Sequence, residues 1–189
     1  MNPSGDCQSG VRELYAWEIE EAKRVFADQL DYERIRVHEC TPWPDRINNL
    51  GLLLKRIKPQ GGPSHNAITI GYHCLFPVKL PIQFVPWPQG DLVNICWLIH
   101  ELTHAWQYQH TGWSYLPKAL YAQFRFKEKA YDYGGEAGLL ESQVNHFRLG
   151  HFNPEQQGNI TRDYYRLCCA SPDKLTAYLP YIHEIQNIA

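Results

Sequence analysis

The chain has 189 residues, with 18 Lys and Arg against 20 Asp and Glu, a formal net charge of −2 and a pI near 6.5. This balance argues against a nucleic acid or an anionic membrane as the partner, and no apolar run is long enough to predict a membrane span. The first ten residues are neither basic nor apolar enough for a signal peptide. We therefore expect a flexible N-terminal segment over 1–10 and a single domain over 11–189.

The N-terminal half is predicted to contain one helix and a small sheet. Apolar residues recur at helical spacing over 11–30, and they alternate with polar ones over 32–40, as in a half-buried strand. A loop-rich stretch over 45–64 follows. Residues 67–78 and 83–85 are predicted to form a second and a third strand.

The C-terminal half is predicted to be helical. One long helix runs from an N-cap at Asp91 to a stop at Thr111-Gly112. Further helices are expected over 136–148 and from Asn153-Pro154 to about residue 169. A last short helix begins at Pro172 and is interrupted by Pro180. The predicted fold class is therefore α+β, a mostly helical domain with a small N-terminal β-sheet.

Residues 100–104 read His-Glu-Leu-Thr-His, the HEXXH zinc signature of metallopeptidases, and they fall within the long helix. Because His100 and His104 are four residues apart, both imidazoles lie on one helix face and can reach one ion. Zinc with an open position lowers the pKa of its bound water to about 7, and Glu101 can take that proton as general base. The structural alternative is a pair of core histidines bonded to backbone carbonyls.

A catalytic zinc site needs a third protein ligand. The downstream candidates are Glu136, Glu141 and Glu155. Glu155 is followed four residues later by Asn159, a position from which an amide oxygen could accept a hydrogen bond from a ligand histidine. Glu141 has the same spacing to Asn145, so spacing alone does not separate these two glutamates.

Peptide hydrolysis also needs a donor that stabilises the oxyanion of the tetrahedral intermediate. The candidates are Tyr133, Tyr164, Tyr165 and His151. Tyr164 and Tyr165 are favoured as catalytic residues because they lie on the same predicted helix as Glu155.

The six cysteines include no C-x-x-C pair and are too sparse for a disulfide scaffold. Cys96 falls on the apolar stripe of the long helix and is expected to be a small buried hydrophobe. One long-range disulfide, from Cys7 to Cys168 or Cys169, stays open.

Several segments resemble the zinc metallopeptidase domains carried by type VI secretion VgrG spike proteins and related polymorphic toxins. The strongest are LIHELTHAWQYQHTGWSYLPKAL, YDYGG and FNPEQQGNITRDYY, and the weaker ones are VFADQLDYERIRVHE and AITIGYHCLF, so the likeness covers about residues 14–170. It implies a zincin-like, gluzincin-type fold with Zn2+ bound by His100, His104 and a glutamate. That glutamate falls on Glu155, in the Glu-Gln-Gln segment. Such domains usually carry Asp at the position that Asn159 occupies here.

The resemblance also implies a role: a zinc-dependent endopeptidase made in the bacterial cytoplasm without a signal peptide, secreted, and acting in the periplasm or cytoplasm of a target cell. Its expected partners are a peptide or protein substrate, a cognate immunity protein and a secretion spike protein. An extended peptide could add to the sheet along 67–78.

Two alternatives to this role stay open. One is a non-catalytic zinc-binding structural or adaptor module of a secretion particle, against which the intact Glu101 argues because a scaffold needs no base. The other is a self-inhibited protease whose N-terminal segment or Cys7 occupies the open zinc position.

Overall fold

The computed structural model describes residues 7–42, 67–115 and 130–188, so the predicted loop over 45–64 lies outside the described residues. Within these ranges the chain is α+β and mostly helical, as predicted, with a small sheet near the N-terminus. The strands are β1 (Gly10–Arg12), β2 (Arg36–Glu39), β3 (Ile68–Ile70) and β4 (His73–Leu75). The α-helices are α1 (Ala16–Phe26), α2 (Val93–Thr111), α3 (Gly135–Val144), α4 (Pro154–Ala170) and α5 (Leu179–Gln186).

The described sheet has four strands in the order β1-β2-β4-β3 rather than the three expected. Strand β2 pairs antiparallel with β1 and parallel with β4, and β3 pairs antiparallel with β4 at the sheet edge. The strand predicted over 67–78 is instead a hairpin that turns at Gly71, whose positive φ of 63° suits glycine. Residues 83–85 form no strand, because the flanking Pro81, Pro86 and Pro88 lack the N–H groups that a ladder needs.

The helix predicted over 11–30 is shorter, because its first residues join the sheet as β1. Arg12 on β1 links this strand to α1 and to β2. Its guanidinium donates to Glu18 on α1 at 2.7 Å and to Glu39 on β2 at 3.0 Å. Near the C-terminus, Pro180 lies in the first turn of α5 rather than interrupting a helix, because the first turn needs no proline N–H. A short 3-10 turn precedes it at Pro172–Lys174.

The long helix α2 lies at the centre of the core. One side packs on α4 and the other faces β3 and β4. Helices α1 and α5 pack against each other, and α1 also contacts α2 and α4. Two buried threonines join α2 to α4, with 2.6 Å between the hydroxyl oxygens of Thr103 and Thr161. None of the described helices is both long and apolar enough to cross a membrane.

The structure contains a disulfide between Cys7 and Cys40, so the pairing of Cys7 with Cys168 or Cys169 that the sequence left open is not the one formed. The antiparallel pairing of β1 with β2 explains it, since it brings residue 7 beside the end of β2. Cys168 and Cys169 are free. A disulfide-bonded Cys7 offers no thiolate to a metal, so in this state it does not fit the self-inhibited alternative.

Candidate metal centre

Three potential metal ligands meet where α2 packs against α4. His100 and His104 lie one turn apart on α2, and Glu155 lies in the first turn of α4. His100 Nε2 is 3.3 Å from one Glu155 carboxylate oxygen, and His104 Nε2 is 3.6 Å from the other. All three side chains are buried, and their ligand atoms lie within 4.8 Å of one another, so the group could hold a metal ion. The other candidate ligands, Glu136 and Glu141, are exposed on α3.

The sequence around Glu155 fixes where α4 begins. The side chain of Asn153 accepts hydrogen bonds from the backbone N–H groups of Glu155 and Gln156, and the Gln156 side chain returns to the Asn153 N–H at 3.0 Å. Pro154 occupies the first turn, where its missing N–H costs nothing. This reciprocal cap holds the first turn of α4, and with it Glu155, against the histidine face of α2.

Gly158 leaves room for the His100 ring. A Cβ atom at position 158 would lie 2.7 to 2.9 Å from three atoms of that imidazole, closer than ordinary packing allows. The close approach of the two helices at this ligand therefore depends on glycine, one turn after Glu155.

Gln107 fixes the orientation of the other imidazole. Its amide nitrogen donates to the Pro154 carbonyl at 3.1 Å and to the Gln157 side chain at 2.8 Å, so its Oε1 is the atom that faces His104. His104 Nδ1 lies 2.9 Å from that oxygen and must be the donor. The lone pair of a neutral His104 is then on Nε2, the atom nearest Glu155, as a metal ligand requires.

The charges of the cluster are strongly coupled. Burial alone would lower the pKa of His104, but the Glu155 carboxylate outweighs this effect and raises it to about 9. Burial alone would raise the pKa of Glu155, but His104 and His100 hold it well below its usual range. The cluster thus favours a carboxylate next to positive charge, which a proton or a metal cation can supply.

Glu101 lies on the same turn of α2, and only 4% of its surface is exposed. The hydroxyl of Thr69 on β3 is 2.8 Å from Glu101 Oε2. Burial raises the pKa of Glu101, and the neighbouring histidines and the Thr69 hydrogen bond oppose that rise. A carboxylate with a raised pKa is a better proton acceptor than one in water.

The hydrogen bond expected from a ligand histidine to Asn159 is not present. The Asn159 amide nitrogen donates to the Tyr131 carbonyl at 2.8 Å, and its oxygen has no hydrogen-bond partner in the described part of the chain. Gln107 makes the contact that was expected of Asn159. It lies three residues after His104 on α2, and its side-chain oxygen accepts the Nδ1 proton of His104.

The structure does not bring the predicted tyrosines to the cluster. Tyr164 and Tyr165 lie nine and ten residues after Glu155, which is about 13–15 Å along the helix axis. The Tyr165 hydroxyl donates to Glu21 on α1 at 2.7 Å. The other two predicted donors do not take the place of Tyr164 and Tyr165 at the cluster, because Tyr133 donates to Asp163 at 2.7 Å and His151 is exposed.

Two other tyrosines do lie beside the histidines. The ring centroid of Tyr131 is 6.3 Å from that of His100, and Tyr115 stacks on His104 at the same separation. Gln107 could have been found from its spacing to His104 on one helix. Thr69, Tyr115 and Tyr131 approach the cluster only through tertiary packing, for which the sequence carries no local signal.

The chain is thus an α+β domain with a buried His-His-Glu group between two helices, next to a buried glutamate. No family model matches the sequence.

The sequence is 32% identical over 164 residues to the type VI secretion system spike protein VgrG2b of Pseudomonas aeruginosa. This match covers 85% of the chain but 13% of that protein, so the chain spans only a small part of it. The solved effector domain of P. aeruginosa VgrG2b has the same fold, with a TM-score of 0.58 and 26% identity over 97% of this chain and 87% of that one. The chain is therefore similar, over nearly its whole length, to the effector domain of a VgrG spike protein.

Proposed function

We propose that the chain is a zinc-dependent endopeptidase of the zincin-like, gluzincin type. The observation that carries this proposal is the convergence of His100, His104 and Glu155 beside Glu101. Two imidazoles and one carboxylate form a donor set used by catalytic zinc, and three protein ligands leave a fourth position for water or substrate. Gln107 and Gly158 support the fit, because one orients His104 and the other makes room for His100.

When bound, zinc would polarise the substrate carbonyl and lower the pKa of a water molecule to about 7, so that loss of a proton makes this water a nucleophile. Glu101 would accept a proton from the attacking water and deliver it to the leaving amine. Its burial suits both steps, because a proton held at the Glu101 carboxylate is not lost to bulk solvent. We assign no oxyanion donor from the sequence, since Tyr164 and Tyr165 lie elsewhere.

The substrate in this proposal is an extended peptide or protein segment. Strand β3 is the edge of the sheet, and its residue Thr69 contacts Glu101. The Tyr115 hydroxyl already binds the Thr69 carbonyl and the Gly71 N–H, so a peptide that pairs with this edge beside the proposed base would have to displace that hydroxyl.

The test is cleavage of an unstructured protein such as casein by the purified chain, together with its zinc content. We expect about one zinc ion per chain and hydrolysis that a chelator abolishes. Glu101→Gln should keep the metal and the fold but lose at least about 10²-fold in rate, because an amide cannot accept the proton. Glu141→Gln, an exposed acid on α3, is the matched control and should stay active. A correctly folded and fully active Glu101→Gln protein would refute the mechanism.

The second candidate is a non-catalytic zinc-binding module. It predicts the same metal content with no cleavage of any peptide. Glu101 argues against it, because burying a carboxylate beside the cluster costs free energy and a scaffold gains nothing from it.

We further propose that the domain is a type VI secretion effector that acts as a toxin. The support is its similarity to the effector domain of VgrG2b. Its proposed partners are a secretion spike protein and a cognate immunity protein. The Cys7–Cys40 disulfide favours the periplasm of the target cell over its cytoplasm, because disulfides persist in oxidising compartments.

This role can be tested by expressing the chain in a bacterial host with and without an export leader. We expect growth inhibition by the exported wild type and none by exported Glu101→Gln. Equal growth of the two strains would contradict a toxic peptidase.

A further inference from the structure

Thr69 is a buried hydroxyl that touches the proposed base but none of the three proposed ligands. It lies in the middle of β3, and 3% of its surface is exposed. Its Oγ1 is 2.8 Å from Glu101 Oε2 and 3.1 Å from the Glu101 backbone carbonyl. A threonine hydroxyl has one proton, and the shorter contact goes to the carboxylate, so the side chain holds one of the two Glu101 oxygens.

The backbone of Thr69 is itself held in place. Its carbonyl accepts a hydrogen bond from the Tyr115 hydroxyl at 2.9 Å, and that hydroxyl in turn accepts one from the Gly71 N–H at 3.2 Å. On the other side, Thr69 lies opposite Cys74 in the β3–β4 hairpin. Because strand and aromatic ring both fix Thr69, its hydroxyl is a rigid anchor and not a group that follows Glu101.

We infer that Thr69 is a positioning residue for the proposed hydrolysis. Its hydroxyl fixes the Glu101 carboxylate so that Oε1 is left to accept the proton of the attacking water. A role for Thr69 in hydrolysis rests on the proposed function, but the effect of its hydroxyl on the position of the Glu101 carboxylate can be tested separately. Burial strengthens the argument, because no bulk water is in place to substitute for a missing hydroxyl.

Thr103 provides a matched control within the same region. It is also a buried threonine, but its hydroxyl contacts Thr161 and the Ile99 carbonyl, so it joins two helices and does not touch the Glu101 carboxylate. Removing either hydroxyl costs a buried hydrogen bond of similar kind. Only the loss of the Thr69 hydroxyl should lower kcat.

The experiment compares Thr69→Val, Thr69→Ser and Thr103→Val as zinc-loaded full chains. We expect Thr69→Val to lose about 10- to 100-fold in kcat with KM and zinc affinity near the wild-type values, since a displaced base slows the chemical step alone. Thr69→Ser restores the hydroxyl and should recover most of that loss. Thr103→Val weakens the contact of α2 with α4, so it should unfold at a lower temperature and bind zinc more weakly, but the zinc-loaded variant should keep its kcat because Glu101 keeps its contact with Thr69.

A crystal structure of Thr69→Val supplies a readout other than activity: the Glu101 carboxylate should be rotated away from its wild-type position, and Thr69→Ser should return it. Unchanged kcat in Thr69→Val, failure of serine to rescue it, or an unmoved Glu101 would each overturn the inference. If Thr69→Val does not fold, Thr69→Ala removes the same hydroxyl and is compared in its place. If the wild-type chain hydrolyses nothing, the proposed function fails, and the position of Glu101 in the crystal still decides the inference.

Discussion

Each candidate ligand histidine depends on one neighbouring residue for its orientation or for its space. Gln107 accepts the Nδ1 proton of His104 and leaves Nε2 to face Glu155. Gly158 lets α4 approach His100 more closely than any other residue would allow. An imidazole oriented by a neighbour loses less freedom when it binds a metal, so such contacts typically contribute 10- to 100-fold in affinity or activity.

The sequence indicated some of the residues around the histidines and missed others. His100 and His104 could be paired because helical spacing relates them, and Glu155 stood beside two other glutamates until a family resemblance favoured it. Asn159 had the right spacing to serve a ligand histidine, but its amide oxygen has no hydrogen-bond partner among the described residues, and its nitrogen donates to the Tyr131 carbonyl. Spacing along a helix says which residues share a face. It does not say whether two atoms on neighbouring helices come within hydrogen-bonding distance.

The assignment of Glu155 can be tested against Glu141. Glu155→Ala should weaken zinc binding severely, because one of three ligands is lost, whereas Glu141→Ala should leave it near normal, because Glu141 is exposed on α3. A glutamate that only favours the N-terminus of α4 would contribute about 0.3–1 kcal/mol to stability and nothing to metal affinity. Zinc titration and thermal unfolding of both variants separate these readings. Loss of zinc from Glu141→Ala alone would show that the third ligand has been misassigned.

Two helices supply all three residues of the candidate metal centre, so the packing of α2 on α4 and the proposed binding of a metal would be linked. Their contact combines apolar packing, the Thr103–Thr161 bond and the charged group of His104 with Glu155. Both helices were predictable from periodicity and caps, with α2 observed at Val93–Thr111 and α4 at Pro154–Ala170. The strands were less predictable. Three-residue strands carry too little alternation to reveal where β3 turns into β4, or that residues 10–12 leave the helix for the sheet.

The charged contact between these helices predicts how the stability of the metal-free protein depends on pH. The pKa of His104 is raised from 6.5 to about 9, so its contribution is complete below pH 6.5 and lost as the pH rises through about 9. The pKa of Glu155 is lowered, so its contribution is present above its ordinary value of 4.5 and lost at lower pH. Stabilisation by the pair should therefore be greatest between about pH 4.5 and 6.5.

Thermal unfolding of the metal-free chain from pH 6 to 9.5 measures this effect. The melting temperature of the wild type should fall over that range. The melting temperature of Glu155→Gln should fall less, since an amide does not hold the proton on His104. Zinc affinity should rise over the same interval, because the ion must displace that proton. An equal decline in wild type and Glu155→Gln would show that another group titrates.

The N-terminal part of the molecule is tied to the sheet independently of the candidate metal centre. The Cys7–Cys40 disulfide joins residues 33 apart, and Arg12 adds its ion pairs to Glu18 and Glu39. The disulfide pairing was beyond prediction from the sequence, since it depends on which strand lies beside residue 7. The three proposed ligands, by contrast, lie on α2 and α4. The whole molecule thus combines a cross-linked sheet with a ligand group held between helices.

This separation predicts that breaking the disulfide lowers stability without removing the metal site. In the chain-entropy model, a cross-link between residues 33 apart stabilises a protein by about 3–4 kcal/mol, because it restricts the unfolded chain. Cys7→Ser and Cys40→Ser should each lower the free energy of unfolding by an amount of this order. Zinc stoichiometry should stay at about one ion per chain, because neither cysteine approaches the ligands.

Cys168→Ser is the matched control, since that thiol is free and partly exposed. Denaturant unfolding of the three variants, with and without a reducing agent, measures the effect: the reducing agent should destabilise the wild type and Cys168→Ser, and should leave Cys7→Ser unchanged. Loss of zinc on reduction of the wild type would instead show that the sheet and the metal centre unfold together.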